Sequence, residues 1–275
     1  MSEALKYASK GGLLDRSEES RKFLSVGYGR PLSTGTRYQN RALARTLEAI
    51  AFKGPNAFYQ GAFAKGLERE VRKHGGSLSA SDLRNYQVHK STLSPIQYGN
   101  LSIYTSPLPS SGEVFFGQLF GMLEQFGQSS GELPTDIHTL AELQSLAFED
   151  RAKFLGDPKF SRVDTDRLLE KSYLRKKLEG LSIEKRETPD LHDVLPVPTS
   201  TTHLSIIDRQ GNIVSSTQSI NHYFGSGVFY KGVFLNNTLD DFSDSNAPNQ
   251  FGLLGNSANA PEAGKTPLSL SLIHI

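Results

Sequence analysis

The hydrophobic pattern of this 275-residue chain changes its period close to residue 200. Before that point, apolar residues recur every three or four positions, which is the spacing of amphipathic helices. Beyond it, His203–Asp208 and Ile213–Ser219 have the composition of strands, and a glycine-containing turn joins them. Because helices come first and antiparallel strands follow, the sequence predicts an α+β fold rather than a repeated βαβ arrangement.

The helical part is divided by glycine and proline residues, which end helices. We predict helices or helical turns over these segments: Asn40–Ala51, Asn56–Lys73, Ser81–Tyr86, Val114–Phe126, Leu140–Phe154 and Asp166–Leu178. Two further β elements are predicted, a hairpin over Pro95–Thr105 that turns at Gly99-Asn100, and a third strand over Val228–Leu235. The polar, proline-bearing stretch from Ile183 to Ser200 is predicted to be a loop or linker.

The composition excludes several classes of function. The 30 basic and 29 acidic residues leave a net charge of +1, so no electrostatic argument favours nucleic-acid binding. The chain has no cysteine, which excludes disulfides, thiolate metal sites and a cysteine nucleophile. The seven histidines lack the paired spacing of a metal site, and we expect no metal. The longest nearly apolar run, Val114–Leu123, is far shorter than the roughly 18 residues of a membrane span. Met1–Lys6 lacks the pattern of a signal peptide.

Thr201 stands where the predicted loop enters the first strand. If the peptide bond between Ser200 and Thr201 were cut, this threonine would carry both a hydroxyl and a free α-amine. An α-amine has a pKa of about 7.7 to 8, so near neutral pH it can accept the hydroxyl proton and activate the oxygen as a nucleophile. On spacing alone, the commoner explanation of Thr201-Thr202 is the preference of threonine for strands.

Blocks of sequence around this threonine resemble a known family. Three ordered segments are similar to the signature region of the γ-glutamyltranspeptidases, also called glutathione hydrolases: Thr201–Asn221, Phe224–Val228 and Leu235–Ser243. Upstream segments resemble landmarks of that family's large subunit: Leu43–Leu47, Gly54–Tyr59, Tyr98-Gly99, Pro107–Gly112 and Phe148–Pro158. The resemblance therefore covers nearly the whole chain.

The resemblance implies an N-terminal-nucleophile hydrolase fold, an αββα sandwich in which two antiparallel sheets lie between layers of helices. It also implies that the precursor cleaves itself between Ser200 and Thr201 and that the two pieces stay associated. Residues 1–200 would then be the C-terminal part of the large (α) subunit, and residues 201–275 the N-terminal part of the small (β) subunit. The resemblance implies no cofactor.

Four residues match positions that carry chemistry in the family. Thr201 matches the nucleophile, and its new α-amine would be the general base. Ser219 falls where the family usually has a second threonine that bonds the nucleophile, and it keeps the hydroxyl. The resemblance implies that Asn221 binds the α-amino-acid end of the γ-glutamyl group and that Asp241 pairs with its α-ammonium.

Two further positions depart from the family pattern. Thr238 stands where the family commonly has Glu or Gln, so one acceptor for the substrate ammonium is shorter or absent. Gly264–Ser269 resembles the start of a block whose serines bind the substrate carboxylate, which predicts that role for Ser269. The block is broken at Leu270–Ile275, which match the translation of a transposon mosaic-end adaptor used in sequencing libraries. We expect those last residues not to be biological.

The family's oxyanion-hole glycines lie beyond this point, and its carboxylate-binding arginine and its signal or anchor segment lie before Met1. The sequence is therefore expected to be an internal fragment, incomplete at both ends and inactive by itself.

The activity that the resemblance implies is hydrolysis of glutathione and transfer of its γ-glutamyl group to water, amino acids or peptides through a γ-glutamyl-threonine acyl-enzyme. The resemblance places the complete protein in the periplasm, outside the cell or anchored to a membrane. Two alternatives stay open: a related acylase of the same fold that acts on glutaryl or β-lactam side chains, and a non-catalytic fragment. Asn221 and Asp241 argue against the acylase, because they serve a substrate α-amino group.

Overall fold

The computed structural model describes residues 12–13, 24–25, 32–127, 131–179, 181, 199–243, 249 and 255–269. Most of the predicted loop from Ile183 to Ser200 and all of Leu270–Ile275 lie outside these described residues. The chain divides into two compact units, residues 1–90 with 220–237 and residues 91–219 with 238–275. Within the described part of the chain, no helix combines the length and apolar character needed to cross a membrane.

The elements follow one another in an α+β order. The described helices are α1 Arg41–Lys53, α2 Asn56–Tyr59, α3 Gly61–Lys73, α4 Ala80–Asn85, α5 Gly112–Phe126, α6 Leu133–Phe154, α7 Thr165–Leu169 and α8 Lys171–Glu179. The described strands are β1 Gly12–Leu13, β2 Arg37–Tyr38, β3 Ile96–Tyr98, β4 Leu101–Ile103, β5 Thr199–Ile207, β6 Ile213–His222, β7 Phe229–Tyr230 and β8 Val233–Phe234. Two short 3-10 helices cover Thr238–Asp241 and Ser257–Asn259. The strands pair as β1 with β2, β3 with β4, β5 with β6, and β7 with β8.

The first unit is built on helices α1 to α4. The N-terminal end of α1 is capped by Asn40, whose Oδ1 accepts a hydrogen bond from the Leu43 backbone N–H at 2.9 Å. One helix was predicted over Asn56–Lys73, and this prediction is wrong, because the chain forms two helices there. Gln60 is extended and Gly61 has a φ of +66°, which interrupts the helical path between α2 and α3.

Apolar residues of α3 and its neighbours form the core of the first unit. The buried members are Phe63, Ala64, Leu67, Val71 and Leu83. Tyr230 packs against this cluster and lies where a Cβ on Gly66 would overlap its hydroxyl. A glycine is therefore required at position 66 for the ring to reach the core.

The predicted third strand is instead a short hairpin. β7 and β8 pair antiparallel, with Phe229 opposite Phe234 and Tyr230 opposite Val233. The two residues between them, Lys231 and Gly232, have φ angles of +46° and +90°. Two successive residues with positive φ reverse the chain, as in the tight turns of hairpins, and this prevents one continuous strand.

The second unit packs α5, α6 and α8 around an apolar core. The buried members of this core are Phe115, Leu119, Met122, Leu143, Ala147 and Leu174. A single charged helix was predicted over Asp166–Leu178, and the structure corrects it to two. Glu170 has an extended backbone, with φ −66° and ψ 132°, which separates α7 from α8. The separation lets Leu168 and Leu174 enter different apolar clusters.

The segment 255–269 docks onto the C-terminal end of α6. Leu268 is buried with Val114, Leu155 and Leu168. The carboxylate of Asp157 accepts a hydrogen bond from the Thr266 backbone N–H at 2.8 Å. These contacts hold the backbone that carries Ser269 against the second unit.

Both predicted hairpins are present. β3 and β4 pair antiparallel around Gly99-Asn100. The turn between β5 and β6 is closed by Asp208, whose carboxylate accepts the Asn212 backbone N–H at 2.8 Å. Hydrogen bonds from Asn212 lower the pKa of the Asp208 carboxyl, although burial opposes them slightly. The ionised Asp208 side chain therefore stabilises the turn by accepting hydrogen bonds from backbone N–H groups within it.

Candidate functional site

Thr201 and Ser219 face each other across the β5–β6 hairpin. The Thr201 hydroxyl donates a hydrogen bond to Ser219 Oγ, with 3.1 Å between the two oxygens. Thr201 is half-buried, whereas its neighbour Thr202 is exposed. The structure thus pairs the residue predicted as nucleophile with the residue predicted to bond it.

The same hairpin carries a continuous row of polar side chains. The His203 ring contacts Thr217 Oγ1 through Nδ1 at 2.8 Å, and it contacts Ser205 Oγ through Nε2 at 3.1 Å. Ser215 Oγ lies 3.2 Å from the same Nε2. Because side chains alternate between the faces of a strand, Thr201, His203 and Ser205 share one face of β5. The imidazole is held by hydroxyl groups alone in the contacts the structure shows around it.

Asp241 occupies the last position of a short 3-10 helix and is 6% exposed. Its backbone carbonyl accepts a hydrogen bond from Nδ2 of Asn259 at 3.1 Å. Thr238 begins the same helix, three residues earlier. Since side chains at i and i+3 align on a 3-10 helix, Thr238 and Asp241 share one side of it.

A buried arginine stands beside this carboxylate. Arg151 comes from the last turn of α6, is 5% exposed, and its Nε donates to Ser111 Oγ at 3.4 Å. Burial lowers the pKa of its guanidinium from 12.5 to about 10, and the negative charge of Asp241 partly offsets this. A guanidinium with that pKa stays charged at neutral pH, so a cation and the Asp241 carboxylate stand together away from water.

Ser269 is tied to the same cluster through Ser111. The Ser111 hydroxyl donates to the Ser269 backbone carbonyl at 3.3 Å. The Ser269 backbone N–H donates to the Pro109 carbonyl at 3.0 Å, and Ser110 and Ser269 form a parallel β-bridge. The loop before α5 thus fixes the backbone of Ser269, and Arg151 is bonded to that loop.

Asn221 belongs to the first unit. Its φ of +76° is in the left-handed region, which asparagine tolerates better than most residues. Its Nδ2 donates to the Asn237 backbone carbonyl at 3.3 Å, and Asn237 Oδ1 accepts the His222 backbone N–H at 3.0 Å. These bonds fix the conformation of Asn221 within that unit.

The structure brings into the site three residues that sequence reasoning did not identify: Ser111, Arg151 and Asn259. Arg151 lies in the block Phe148–Pro158, so a charged residue on the buried side of a helix was a signal that could have found it. Asn259 had no such signal, because its role depends on contacts with residues distant in sequence. The described residues contain no group of three or more His, Asp or Glu side chains that could hold a metal ion.

The chain is similar to one family of known sequences. The family model described as Gamma-glutamyltranspeptidase matches residues 1–273. The chain is 38% identical over 250 residues to the glutathione hydrolase proenzyme of Pseudomonas aeruginosa. That alignment covers 86% of this chain and 44% of the relative, so the chain spans less than half of that protein's length.

Comparison with solved structures concerns the fold. γ-Glutamyltranspeptidase from Pseudomonas nitroreducens, complexed with L-DON, is 31% identical, with a TM-score of 0.59 over 67% of this chain and 59% of that chain. Cephalosporin acylase from Bacillus halodurans is 22% identical, with a TM-score of 0.76 over 98% of this chain and 52% of that chain. The two similarities confirm the predicted α+β, N-terminal-nucleophile hydrolase fold class.

Proposed function

Because the chain belongs to the γ-glutamyltranspeptidase family, we propose that it supplies the nucleophile and the amino-acid-binding residues of an enzyme that hydrolyses glutathione and other γ-glutamyl compounds. The observation that carries this proposal is the hydrogen bond from Thr201 to Ser219 at the start of β5. It pairs the nucleophile with an acceptor that orients its hydroxyl. Below, the family-length protein means this chain within a protein as long as its relatives.

The first chemical step is cleavage of the bond between Ser200 and Thr201. One water molecule is consumed, the carboxylate of Ser200 is released, and Thr201 gains a free α-amine. The two pieces, residues 1–200 and the part that begins at Thr201, stay associated. The cut falls after the second residue of β5, which begins at Thr199. The new N-terminal residue would therefore remain part of that strand.

Catalysis then uses Thr201 alone as nucleophile and base. Its α-amine takes the hydroxyl proton while Oγ1 attacks the γ-carbonyl carbon. The bond to the leaving amine breaks, cysteinylglycine departs with that proton, and a γ-glutamyl ester remains on Thr201. Water or the amine of an amino acid or dipeptide then attacks the ester, which releases glutamate or a new γ-glutamyl compound. Before the attack the Thr201 hydroxyl hydrogen points to Ser219 Oγ. When the α-amine takes that hydrogen, the Ser219 hydroxyl turns and donates its own hydrogen to Oγ1, which keeps the nucleophile in place.

The α-amino-acid end of the substrate is bound by charge. Asp241 pairs with the α-ammonium, with Asn221 and Thr238 as further polar partners, and Ser269 bonds the α-carboxylate. A charge-assisted hydrogen bond to a buried carboxylate contributes about 1.5 to 3 kcal/mol. The Asp241 carboxylate that would accept the ammonium is buried beside the guanidinium of Arg151.

The fold does not distinguish a γ-glutamyl hydrolase from a related acylase, since the similarity to the cephalosporin acylase extends over 98% of the chain. The two activities differ in whether the substrate has an α-ammonium. Asp241 favours the γ-glutamyl substrate, because its carboxylate can pair with an α-ammonium, which a glutaryl group does not have. We propose that the family-length protein lies in the periplasm, outside the cell or anchored to a membrane.

The test uses the family-length protein and γ-glutamyl-p-nitroanilide. We expect intact-mass analysis to show two polypeptides, the second beginning at Thr201, and we expect release of p-nitroaniline. Thr201→Ala should abolish both, whereas Thr202→Ala is the matched control and should leave cleavage at the same bond. A protein that hydrolyses the substrate while it remains a single chain would overturn the N-terminal-threonine mechanism. Faster hydrolysis of glutaryl-p-nitroanilide than of the γ-glutamyl compound would favour the acylase instead.

A further inference from the structure

Both polar atoms of the Asn259 side-chain amide form hydrogen bonds within the second unit. The residue is 1% exposed. Its Nδ2 donates to the Asp241 backbone carbonyl at 3.1 Å and to Ser243 Oγ at 3.0 Å. Its Oδ1 accepts the Leu268 backbone N–H at 2.9 Å. Both donor hydrogens and the acceptor oxygen are thus occupied by the protein itself.

These bonds join two segments that are distant in sequence. Asp241 and Ser243 lie at the end of the first 3-10 helix, whereas Leu268 precedes Ser269 at the end of segment 255–269. The backbone of Asn259 adds another link, since its carbonyl accepts the Ser243 N–H at 3.2 Å. One side chain therefore fixes the position of the two segments relative to each other.

The backbone groups that Asn259 bonds belong to buried residues, since Asp241 is 6% exposed and Leu268 is 1% exposed. A buried carbonyl or N–H that loses its partner is destabilised. Removal of the amide would therefore shift the 3-10 helix or the 265–269 segment until new partners are found. Either shift changes the separation between the Asp241 carboxylate and Ser269.

We propose that Asn259 is a positioning residue that sets the distance between the ammonium-binding Asp241 and the carboxylate-binding Ser269. This inference rests on the proposed function, in which the substrate presents an α-ammonium and an α-carboxylate on one carbon. The two charged groups of an α-amino acid are held at a fixed separation, so their binding groups must match it. Asn259 provides this match without touching the substrate.

The experiment compares two substrates on the family-length protein. γ-Glutamyl-p-nitroanilide carries the α-ammonium, and glutaryl-p-nitroanilide has the same chain and carboxylate without it. The ratio of their kcat/KM values therefore reports recognition of the ammonium. In Asn259→Ala we expect this ratio to fall roughly tenfold, because a charge-assisted bond is weakened. The KM for the γ-glutamyl compound should rise by about the same factor, and kcat should change less than about threefold.

A neighbouring asparagine provides the matched control. Asn256 caps the 3-10 helix Ser257–Asn259. Its Nδ2 donates to the Ala152 carbonyl at 2.6 Å, and its Oδ1 accepts the Ala258 N–H at 2.5 Å. It bonds neither Asp241 nor the backbone next to Ser269. Asn256→Ala should therefore lower stability without changing the substrate ratio. Asn259→Asp keeps the side-chain volume and the acceptor for Leu268 but loses the donor to Asp241, and it should lower the ratio as Asn259→Ala does.

A double-mutant comparison separates positioning from general damage. In the Asp241→Ala background, ammonium recognition is already lost, so Asn259→Ala should leave the ratio unchanged. The proposal is overturned if Asn259→Ala retains the wild-type ratio, or if it lowers the ratio equally in both backgrounds. It is also overturned if both Asn259 variants fail to fold while Asn256→Ala folds. If the wild-type protein does not hydrolyse the γ-glutamyl substrate, the proposed function itself fails, and this inference fails with it.

Discussion

Thr201 donates its hydroxyl hydrogen to Ser219 across the hairpin, with 3.1 Å between the oxygens. This bond fixes the direction of the oxygen lone pairs that would attack a carbonyl carbon. A neutral hydrogen bond contributes about 0.5 to 1.5 kcal/mol, which corresponds to a modest change in rate.

We therefore expect Ser219→Ala in the family-length protein to slow both self-cleavage and turnover by about 3- to 10-fold without loss of the fold. The measurement is a time course of intact mass together with p-nitroaniline release. Ser219→Thr is the control, because it keeps the hydroxyl, and it should retain more than half of the wild-type rate. Rates in Ser219→Ala equal to those of the wild type would show that the bond has no part in orienting Thr201.

Asp241→Ala should mainly raise the KM for γ-glutamyl compounds, by about 10- to 100-fold, because the lost charge-assisted bond contributes to ground-state binding. Steady-state kinetics on the family-length protein would measure this. The pH profile of kcat should keep both of its limbs, since the proposed base is the Thr201 amine. Loss of a limb in the variant would mean that Asp241 transfers protons.

The buried pair of Asp150 and Lys177 gives a prediction on stability. The Lys177 ammonium lies 2.7 Å from Asp150 Oδ1, and their side chains are 11% and 2% exposed. Asp150→Asn leaves the lysine charge buried without a counter-charge, so we expect the free energy of unfolding to fall by about 3 kcal/mol. Urea unfolding of the chain, followed by circular dichroism, would measure it.

The adjacent residue supplies the control for that prediction. Glu149 pairs with Lys153 at 3.5 Å, and both side chains are more than half exposed. Glu149→Gln should change the free energy of unfolding by less than about 1 kcal/mol. Equal effects of the two substitutions would contradict the importance of burial at Asp150.

Tyr173 gives a prediction on pH dependence. Burial raises the pKa of its hydroxyl from 10.0 to about 12, and the hydrogen bond to Asp150 Oδ2 at 2.9 Å and the charge of that carboxylate add to the effect. The protonated form is favoured in the folded state, so this contribution to stability is complete below pH 10 and is lost as the pH rises towards about 12. Tyr173→Phe should reduce the fall in the free energy of unfolding across that interval.

Denaturant titrations at closely spaced alkaline pH values would measure this difference. Tyr104→Phe is the control, since Tyr104 is 61% exposed, and it should leave the slope of the wild type unchanged. A wild-type slope that persists in Tyr173→Phe would mean that other groups cause the alkaline loss of stability.

Local patterns predicted the elements well where a single period or turn decided the structure. The hairpins at Gly99-Asn100 and at Asp208–Asn212 follow from turn residues between strand-forming segments. The helix break at Glu170 could not be predicted, because glutamate is compatible with a helix, whereas Gly61 was a signal for the break at Gln60. Tertiary packing decides there, as when Leu168 and Leu174 enter different apolar clusters.

The site residues likewise fall into those that the sequence could identify and those that it could not. Thr201, Ser219 and Asp241 could be identified from the ordered blocks that surround them, and their roles remain predictions. Ser111 and Asn259 could not be identified, because each acts through residues far along the chain. Asn259 lies 18 residues from Asp241, and Ser111 lies 158 residues from the Ser269 carbonyl that it bonds. Contacts of that range leave no periodic trace in a single sequence.

The polar row on the β5–β6 hairpin has a consequence for how the chain distinguishes two adjacent, chemically identical residues. Thr201 and Thr202 point to opposite faces of β5, so a slip of one residue between the strands would exchange them. The contact of His203 with Thr217 at 2.8 Å and the bond between Thr201 and Ser219 would both be lost in the slipped pairing. The side chains around Thr201 therefore also favour one alignment of the two strands. In the proposed cleavage, that alignment would determine which of the two threonines becomes the new N-terminal residue.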